Sequence, residues 1–152
     1  MASIEKFLKN LKIFLLFNMK KEKILVVEDD FANAVSALQA FSEYEVKIVD
    51  NYESFLEQLE KFKPDVVLSD AEIKVSKESR KKKDCRDEIA EECEKRSIPY
   101  VFVTGAPKKE DHHKTEVNII KKDKEGYKVV KRYDMKEKNE EVWLEAYKLL
   151  KS

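Results

Sequence analysis

Residues 23–35 read KILVVEDDFANAV, in which an aliphatic run leads directly into three consecutive acids. The run, Ile24–Val27, is typical of a strand that is buried on both faces of a parallel sheet. The side chains of Glu28, Asp29 and Asp30 would repel one another at the end of such a strand. We therefore expect a cation to neutralise them.

The rest of the chain alternates between strand-like and helical patterns. Helices are predicted over 31–41, 52–62, 85–93 and 142–150, and further strands over 46–49, 65–69 and 100–103. Beyond Thr104, residues 117–120 and 127–130 are both strand-like, and 123–126 form a plausible turn between them. The alternation predicts an α/β fold in which a doubly wound parallel sheet is sandwiched by helices.

Composition excludes several classes of function. The 152 residues suffice for one domain, and 31 basic side chains balance 31 acidic ones, so net charge does not favour nucleic acid or membrane as a partner. Two glycines leave no glycine-rich phosphate loop. The two cysteines, Cys85 and Cys93, lack a metal or redox spacing, which favours a reducing cytoplasm.

The first 18 residues form a separate segment, and the domain is expected over 19–152. The apolar run within 13–17 is too short for a membrane span or a signal-peptide core. As a helix, the segment would align Ile4, Phe7, Leu8, Leu11 and Leu15 along one side. It is either a dispensable extension, which we favour, or an interfacial or partner-binding helix.

Polar side chains follow three of the predicted strands. Asp29 and Asp30 follow the first, Asp70 the third and Thr104 the fourth. Ligands of doubly wound sheets bind at the carboxyl ends of the strands, so these residues are expected to share one pocket. Crowded carboxylates with oxygen ligands alone favour Mg²⁺.

Three stretches in order, ILVVEDD, PDVVLSD and IPYVFVTGA, resemble the receiver domain of two-component response regulators. The resemblance covers about residues 20–106 well and the rest loosely. It implies a flavodoxin-like sheet of five parallel strands in the order 2-1-3-4-5.

The resemblance also implies roles for individual residues. Asp70 would be the phosphoacceptor, and Thr104 would hydrogen-bond the phosphoryl oxygen. Asp29, Asp30 and Asp70 would hold Mg²⁺ together with the backbone carbonyl of Glu72. At most, the protein would catalyse its own phosphorylation and dephosphorylation, without turnover of a separate substrate.

Receivers carry a lysine after strand five that pairs with the phosphoryl group. The stretch GYKVVKRY, residues 126–133, resembles that strand and would make Lys131 the pairing residue. Lys121, after VNII, is the alternative. The usual aromatic residue three positions before the lysine is absent, because Lys128 stands there.

The chain departs from receivers after Asp70, where a longer basic segment, residues 74–86, replaces the usual proline and glycine. It is either a contact for nucleic acid or an acidic partner, or a mobile solvated loop, which we favour. His112 and His113 are adjacent and point apart on any regular element, so a structural metal there is not expected.

The leading hypothesis is a stand-alone cytoplasmic receiver that takes a phosphoryl group from a histidine kinase or phosphotransfer protein and signals to another protein. The alternative is a degenerate receiver that acts only as a protein-binding module. An unrelated Mg²⁺-dependent phosphohydrolase ranks last, because no separate general acid is evident. Nucleic acid and a membrane span are not expected.

Overall fold

The structure, a computed structural model, describes residues 3–18, 21–105 and 115–152. Its helices are α1 (Ser3–Asn18), α2 (Phe31–Ala40), α3 (Tyr52–Lys61), α4 (Arg86–Lys95) and α5 (Glu140–Lys151). Its strands are β1 (Lys23–Val27), β2 (Glu45–Val49), β3 (Val66–Ser69), β4 (Glu72–Lys74), β5 (Lys82–Asp84), β6 (Tyr100–Thr104), β7 (Val117–Asp123) and β8 (Gly126–Tyr133).

Six strands form the central sheet, in the order β2-β1-β3-β6-β7-β8. The first four are parallel, and they occupy the order that the sequence predicted for the first four strands of the receiver sheet. The mixed α/β architecture with a mostly parallel sheet is therefore as predicted. The five-stranded, all-parallel order 2-1-3-4-5 is not, because β7 and β8 are antiparallel to their neighbours.

The antiparallel end of the sheet has a physical reason in the sequence that precedes it. A parallel crossover needs about a dozen residues or more, usually including a helix with an apolar face. Residues 105–116, GAPKKEDHHKTE, contain no large apolar side chain that such a helix could bury. The next turn, between β7 and β8, is closed by Gly126, whose φ of +121° is rarely adopted by other residues.

The central strands β1, β3 and β6 are buried on both faces of the sheet, where successive side chains point to opposite sides. Ile24 and Val26 of β1 pack in the layer that contains α2 and α5. Leu25 and Val27 pack in the layer of α3 and α4. This arrangement explains why the strand is continuously aliphatic, and it fixes the carboxyl end of β1 between the two helical layers.

Three helices begin at residues whose side chains accept a hydrogen bond from the first helical turn. Asp30 accepts from the amide of Asn33 at α2, and Asn51 accepts from the amide of Ser54 at α3. Asn139 accepts from the amide of Val142 at α5. These caps fix where the loops after β1 and before α5 end, and both loops carry residues of the site.

The sequence favours a mobile solvated loop for the basic segment 74–86, but the structure has a strand, β5, within it. Strand β5 pairs with β4 as a short antiparallel hairpin, with Lys74 opposite Lys82 and Glu72 opposite Asp84. The amide of Cys85 donates to the carbonyl of Ala71 at 2.8 Å and closes the hairpin against the end of β3. The hairpin therefore begins immediately beside Asp70.

Helix α1 exposes the large apolar side chains of Ile4, Phe7 and Leu8. None of the helices in the described ranges is both long and apolar enough to cross a membrane.

Candidate functional site

Three carboxylates meet at the carboxyl ends of neighbouring parallel strands. Glu28 and Asp29 follow β1, and Asp70 follows β3, which pairs directly with β1. One carboxylate oxygen from each lies within 4.8 Å of the others, so the three together could hold a metal ion. We call Glu28, Asp29 and Asp70 the acidic cluster.

A buried lysine neutralises two members of the acidic cluster. The ammonium of Lys138 donates to Glu28 Oε1 at 2.5 Å and to Asp70 Oδ2 at 2.9 Å. Its side chain is 4% exposed and that of Glu28 is 1% exposed. We call Lys138, Glu28 and Asp70 the triad. Asp70 is 14% exposed, so its carboxylate is the member of the triad that solvent and a partner can reach.

Lys138 is held in place by α2 and by the start of α5. Its backbone amide donates to Asn33 Oδ1 at 2.9 Å, and the indole of Trp143 donates to the carbonyl of Asn33 at 3.1 Å. The ammonium also lies 5.7 Å from the centre of the Trp143 ring. Asn33 therefore joins α2 to the loop that carries Lys138.

Burial and charge act in opposite directions on this triad. Burial raises the pKa of Glu28 to about 7, and the nearby Asp70 adds to the increase, although Lys138 opposes it. Burial alone would lower the pKa of Lys138, but the carboxylates of Asp70 and Glu28 outweigh it and hold that pKa above its ordinary value. Lys138 therefore carries a charge at neutral pH.

Asp29 is the cluster member with the poorest protein partners. Its side chain is 4% exposed, and neither of its oxygens accepts a hydrogen bond of normal geometry. The ammonium of Lys82 lies 3.1 Å from Oδ1. A buried carboxylate oxygen without a hydrogen-bond donor is costly. Asp29 Oδ2 is therefore suited to bind a further cation. An all-oxygen donor set of this charge suits Mg²⁺.

Lys82 reaches the cluster from the β4–β5 hairpin, and half of its side chain remains exposed. Burial would lower the pKa of Lys82, but its contact with Asp29, and then the charges of Asp70 and Glu28, raise it above the ordinary value.

Three further residues predicted for the site, Asp30, Thr104 and Glu72, lie outside the acidic cluster. Asp30 is exposed, and its carboxylate caps α2 instead of entering the acidic cluster. Thr104 is buried at the end of β6, the strand beside β3. Glu72 begins β4, and its amide donates to Asp70 Oδ1 at 3.3 Å, so its backbone adjoins the acceptor.

Neither of the two lysines expected from the sequence takes the position beside Asp70. Lys131 lies on exposed β8, where its ammonium is 3.6 Å from Glu145 and 5.2 Å from the centre of the Tyr133 ring. Lys121 donates to the carbonyl of Leu149 at 2.9 Å. Lys138 occupies that position instead because β8 runs antiparallel to β7, and the chain returns to the site only in the loop before α5.

No family model, curated protein or solved structure matches this chain. Functional assignment therefore depends on the geometry of the residues themselves.

Other reactive groups do not enlarge the site. Burial raises the pKa of Cys85 to about 11 and that of Cys93 to about 12, so both thiols stay protonated at neutral pH. His112 and His113 lie outside the described residues.

Proposed function

We propose that this chain is a receiver domain that accepts a phosphoryl group on Asp70. The observation that carries the proposal is the acidic cluster with a buried lysine bridging Glu28 and Asp70. The order of the first four sheet strands, β2-β1-β3-β6, is the order expected for the flavodoxin-like sheet of receivers. We propose with it that the fold is flavodoxin-like.

The proposed reaction is a phosphoryl transfer to a carboxylate. An oxygen of Asp70 attacks the phosphorus of a phosphohistidine or a small acyl phosphate, forming an O–P bond as the bond from phosphorus to the donor breaks. The donor's imidazole or carboxylate leaves with the electron pair. Asp70 suits this role because it is the most exposed member of the triad with Glu28 and Lys138.

Mg²⁺ would be held by Glu28, Asp29 and Asp70, with the backbone carbonyl of Glu72 as a further ligand. When bound, the ion supplies positive charge between the attacking carboxylate and the phosphoryl oxygens. This ligand set differs from the one expected from the sequence, because Glu28 replaces Asp30.

The cations and donors of the chain itself have separate roles. Lys138 already contacts Asp70 and would pair with a phosphoryl oxygen after transfer. The hydroxyl of Thr104, on the adjacent strand, would hydrogen-bond another. The partners implied are a histidine kinase or phosphotransfer protein as donor, and a protein that recognises the phosphorylated form.

Intact mass after incubation with acetyl phosphate or phosphoramidate tests the proposal. We expect one added phosphoryl group in the presence of Mg²⁺ and none after chelation. Asp70→Asn should abolish the addition. Asp50→Asn is the matched control, because Asp50 is exposed and follows β2 at the same edge of the sheet.

A second candidate is a binding module that does not accept a phosphoryl group. It is favoured by the β4–β5 hairpin and the antiparallel β7 and β8, which depart from the receiver pattern on either side of the site. A folded protein whose mass stays unchanged with both donors would favour this module over the receiver.

A further inference from the structure

The β4–β5 hairpin supplies a cation to the acidic cluster. Lys82 begins β5, and its ammonium lies 3.1 Å from Asp29 Oδ1, whereas the next lysine, Lys83, makes no ion pair among the described residues. Half of the Lys82 side chain is exposed, so it can leave the cluster without opening the core.

We propose that Lys82 is a tethered counter-cation that Mg²⁺ displaces, so that metal binding loosens the tip of the hairpin. The inference rests on the proposed function, since it concerns the regulation of the same metal site. Lys82 stabilises Asp29 in the metal-free protein, and its departure loosens residues 76–82. These residues follow Val75, whose carbonyl accepts a hydrogen bond from the amide of Glu53 at 2.9 Å and keeps that end of the hairpin tip in place. The loosened residues would report the state of the site.

Charge counting supports displacement over joint occupancy. The cluster carries three carboxylates, which meet the ammonium groups of Lys138 and Lys82 in the metal-free protein. Mg²⁺ together with Lys138 balances the three negative charges without Lys82. A third cation at this distance would be repelled, and Lys82 is the one with access to solvent.

Calorimetric titration with Mg²⁺ tests the competition. Lys82→Gln should bind Mg²⁺ about 2- to 5-fold more tightly than the wild type, the range set by the strength of a partly exposed ion pair. Lys83→Gln is the control, because it removes the same charge from the neighbouring position of the hairpin. It should leave the affinity close to that of the wild type.

Hydrogen exchange supplies a second readout. Amides of residues 76–82 should exchange faster in the wild type with saturating Mg²⁺ than without it. In Lys82→Gln they should exchange fast under both conditions.

Three results would overturn the inference: equal tightening in both variants, weaker binding by Lys82→Gln, or exchange that Mg²⁺ leaves unchanged. If Mg²⁺ binds and Asp70 is phosphorylated but the variants do not differ, only the inference fails. If no Mg²⁺ binds to any of the three proteins, the proposed metal site fails with it.

Helix α1 carries an independent inference, because its apolar side faces solvent. Ile4 is 73% exposed, Phe7 64% and Leu8 57%, and Leu11 and Leu15 continue the same side. About three of every seven residues contribute to this apolar side. The side is therefore wider than the seam of a coiled coil, to which two residues in seven contribute. A surface broader than a second helix would therefore cover it best.

The charges near this apolar side identify the surface. Lys6, Lys9 and Lys12 recur every three residues along the other side of α1, which also carries the half-exposed Ile13, against the single acid Glu5. Lys20 and Lys21 follow in the sequence. Basic polar faces opposite Leu and Phe are the pattern of helices that lie in the headgroup region of anionic bilayers. We infer that α1 attaches the chain to an anionic lipid surface.

Co-sedimentation with vesicles tests this attachment. The full chain should bind vesicles of phosphatidylcholine and phosphatidylglycerol, and only weakly vesicles of phosphatidylcholine alone. Replacing Lys6, Lys9 and Lys12 with Gln should weaken binding at least about tenfold. The control replaces three exposed lysines of the hairpin, Lys77, Lys81 and Lys83, and should have little effect.

Binding that does not depend on lipid charge would contradict the attachment, as would no binding to either vesicle. A dimer in solution that disappears on removal of residues 1–18 would instead make a second copy of the chain the partner of α1.

Discussion

Among single residues, Lys138 contacts two of the three carboxylates of the acidic cluster. Its buried ammonium is the shared partner of Glu28 and Asp70, and Asn33 fixes its backbone. Removing one member of a buried ion pair leaves an uncompensated charge, which is far more costly than losing an exposed pair. The folded state and the proposed chemistry therefore depend on the same side chain.

We predict that Lys138→Ala lowers the free energy of unfolding of the metal-free protein by about 3 kcal/mol or more. Mg²⁺ should restore part of the loss, because it supplies a replacement positive charge. Lys131→Ala is the control and should change stability by less than about 0.5 kcal/mol, since Lys131 is exposed. Urea denaturation of the three proteins gives these values, and equal losses in both variants would contradict the role of Lys138.

The adjacent acids Asp29 and Asp30 should separate metal binding from stability. Asp29→Asn should abolish or strongly weaken Mg²⁺ binding while leaving the metal-free protein about as stable, because it also relieves repulsion within the cluster. Asp30→Ala should keep most of the Mg²⁺ affinity but cost about 1 kcal/mol through the lost cap of α2. Calorimetry and urea denaturation measure the two effects, and the reverse assignment would show that Asp30 is the ligand.

The sequence identified the acidic run but not which acids enter the cluster. Strand alternation gives each side chain a face, yet the chain leaves β1 at Val27, and a loop residue follows no such rule. Asp30 was predicted as a ligand although its position before α2 also suits a cap, which is its role in the structure. Lys138 lies just before the cap of α5, a signal that could have drawn attention to it.

Among the elements, local sequence patterns predicted the strands after Thr104 better than the family resemblance did. The two strand-like stretches after Thr104 and the turn between them are present as β7, β8 and their connection. The assumption of one parallel fifth strand was wrong because it ignored that turn. The β4–β5 hairpin was not foreseen, since strands of three residues are too short for alternation to mark them.

Helix α4 offers a test that is independent of the acidic cluster. Cys85 directly precedes this helix and Cys93 lies within it, and both are buried, with pKa values raised to about 11 and about 12. We predict that both thiols react slowly with iodoacetamide at pH 8 and fast only in denaturant, because both the burial and the raised pKa suppress the reactive thiolate. Fast labelling of the native protein, followed by mass spectrometry, would contradict this packing.

For the whole molecule, the sequence predicted the layered α/β architecture because aliphatic runs and amphipathic helices alternate from β1 to β6. Those patterns reflect burial, which the packing of both sheet faces satisfies. The directions of β7 and β8 depend on the path of the segments that connect the strands. The hydrophobic periodicity of one sequence carries little information about that path.

Truncation tests the expected domain boundary at residue 19. We predict that removing residues 1–18 changes the free energy of unfolding by less than about 0.5 kcal/mol, because the described apolar side chains of α1 are exposed and lie outside both core clusters. Urea denaturation of the full and shortened chains measures the difference. A clear loss of stability in the shortened chain would make the segment part of the domain.

The central claim is that the molecule is organised around Asp70 as a phosphoacceptor. Its most direct test is borohydride reduction after reaction with acetyl phosphate and Mg²⁺, followed by peptide mapping, because the reduction converts an aspartyl phosphate to homoserine. We predict conversion at position 70 alone, and none when Mg²⁺ is chelated. An unmodified Asp70 in the folded protein, or modification at another residue, would contradict the claim.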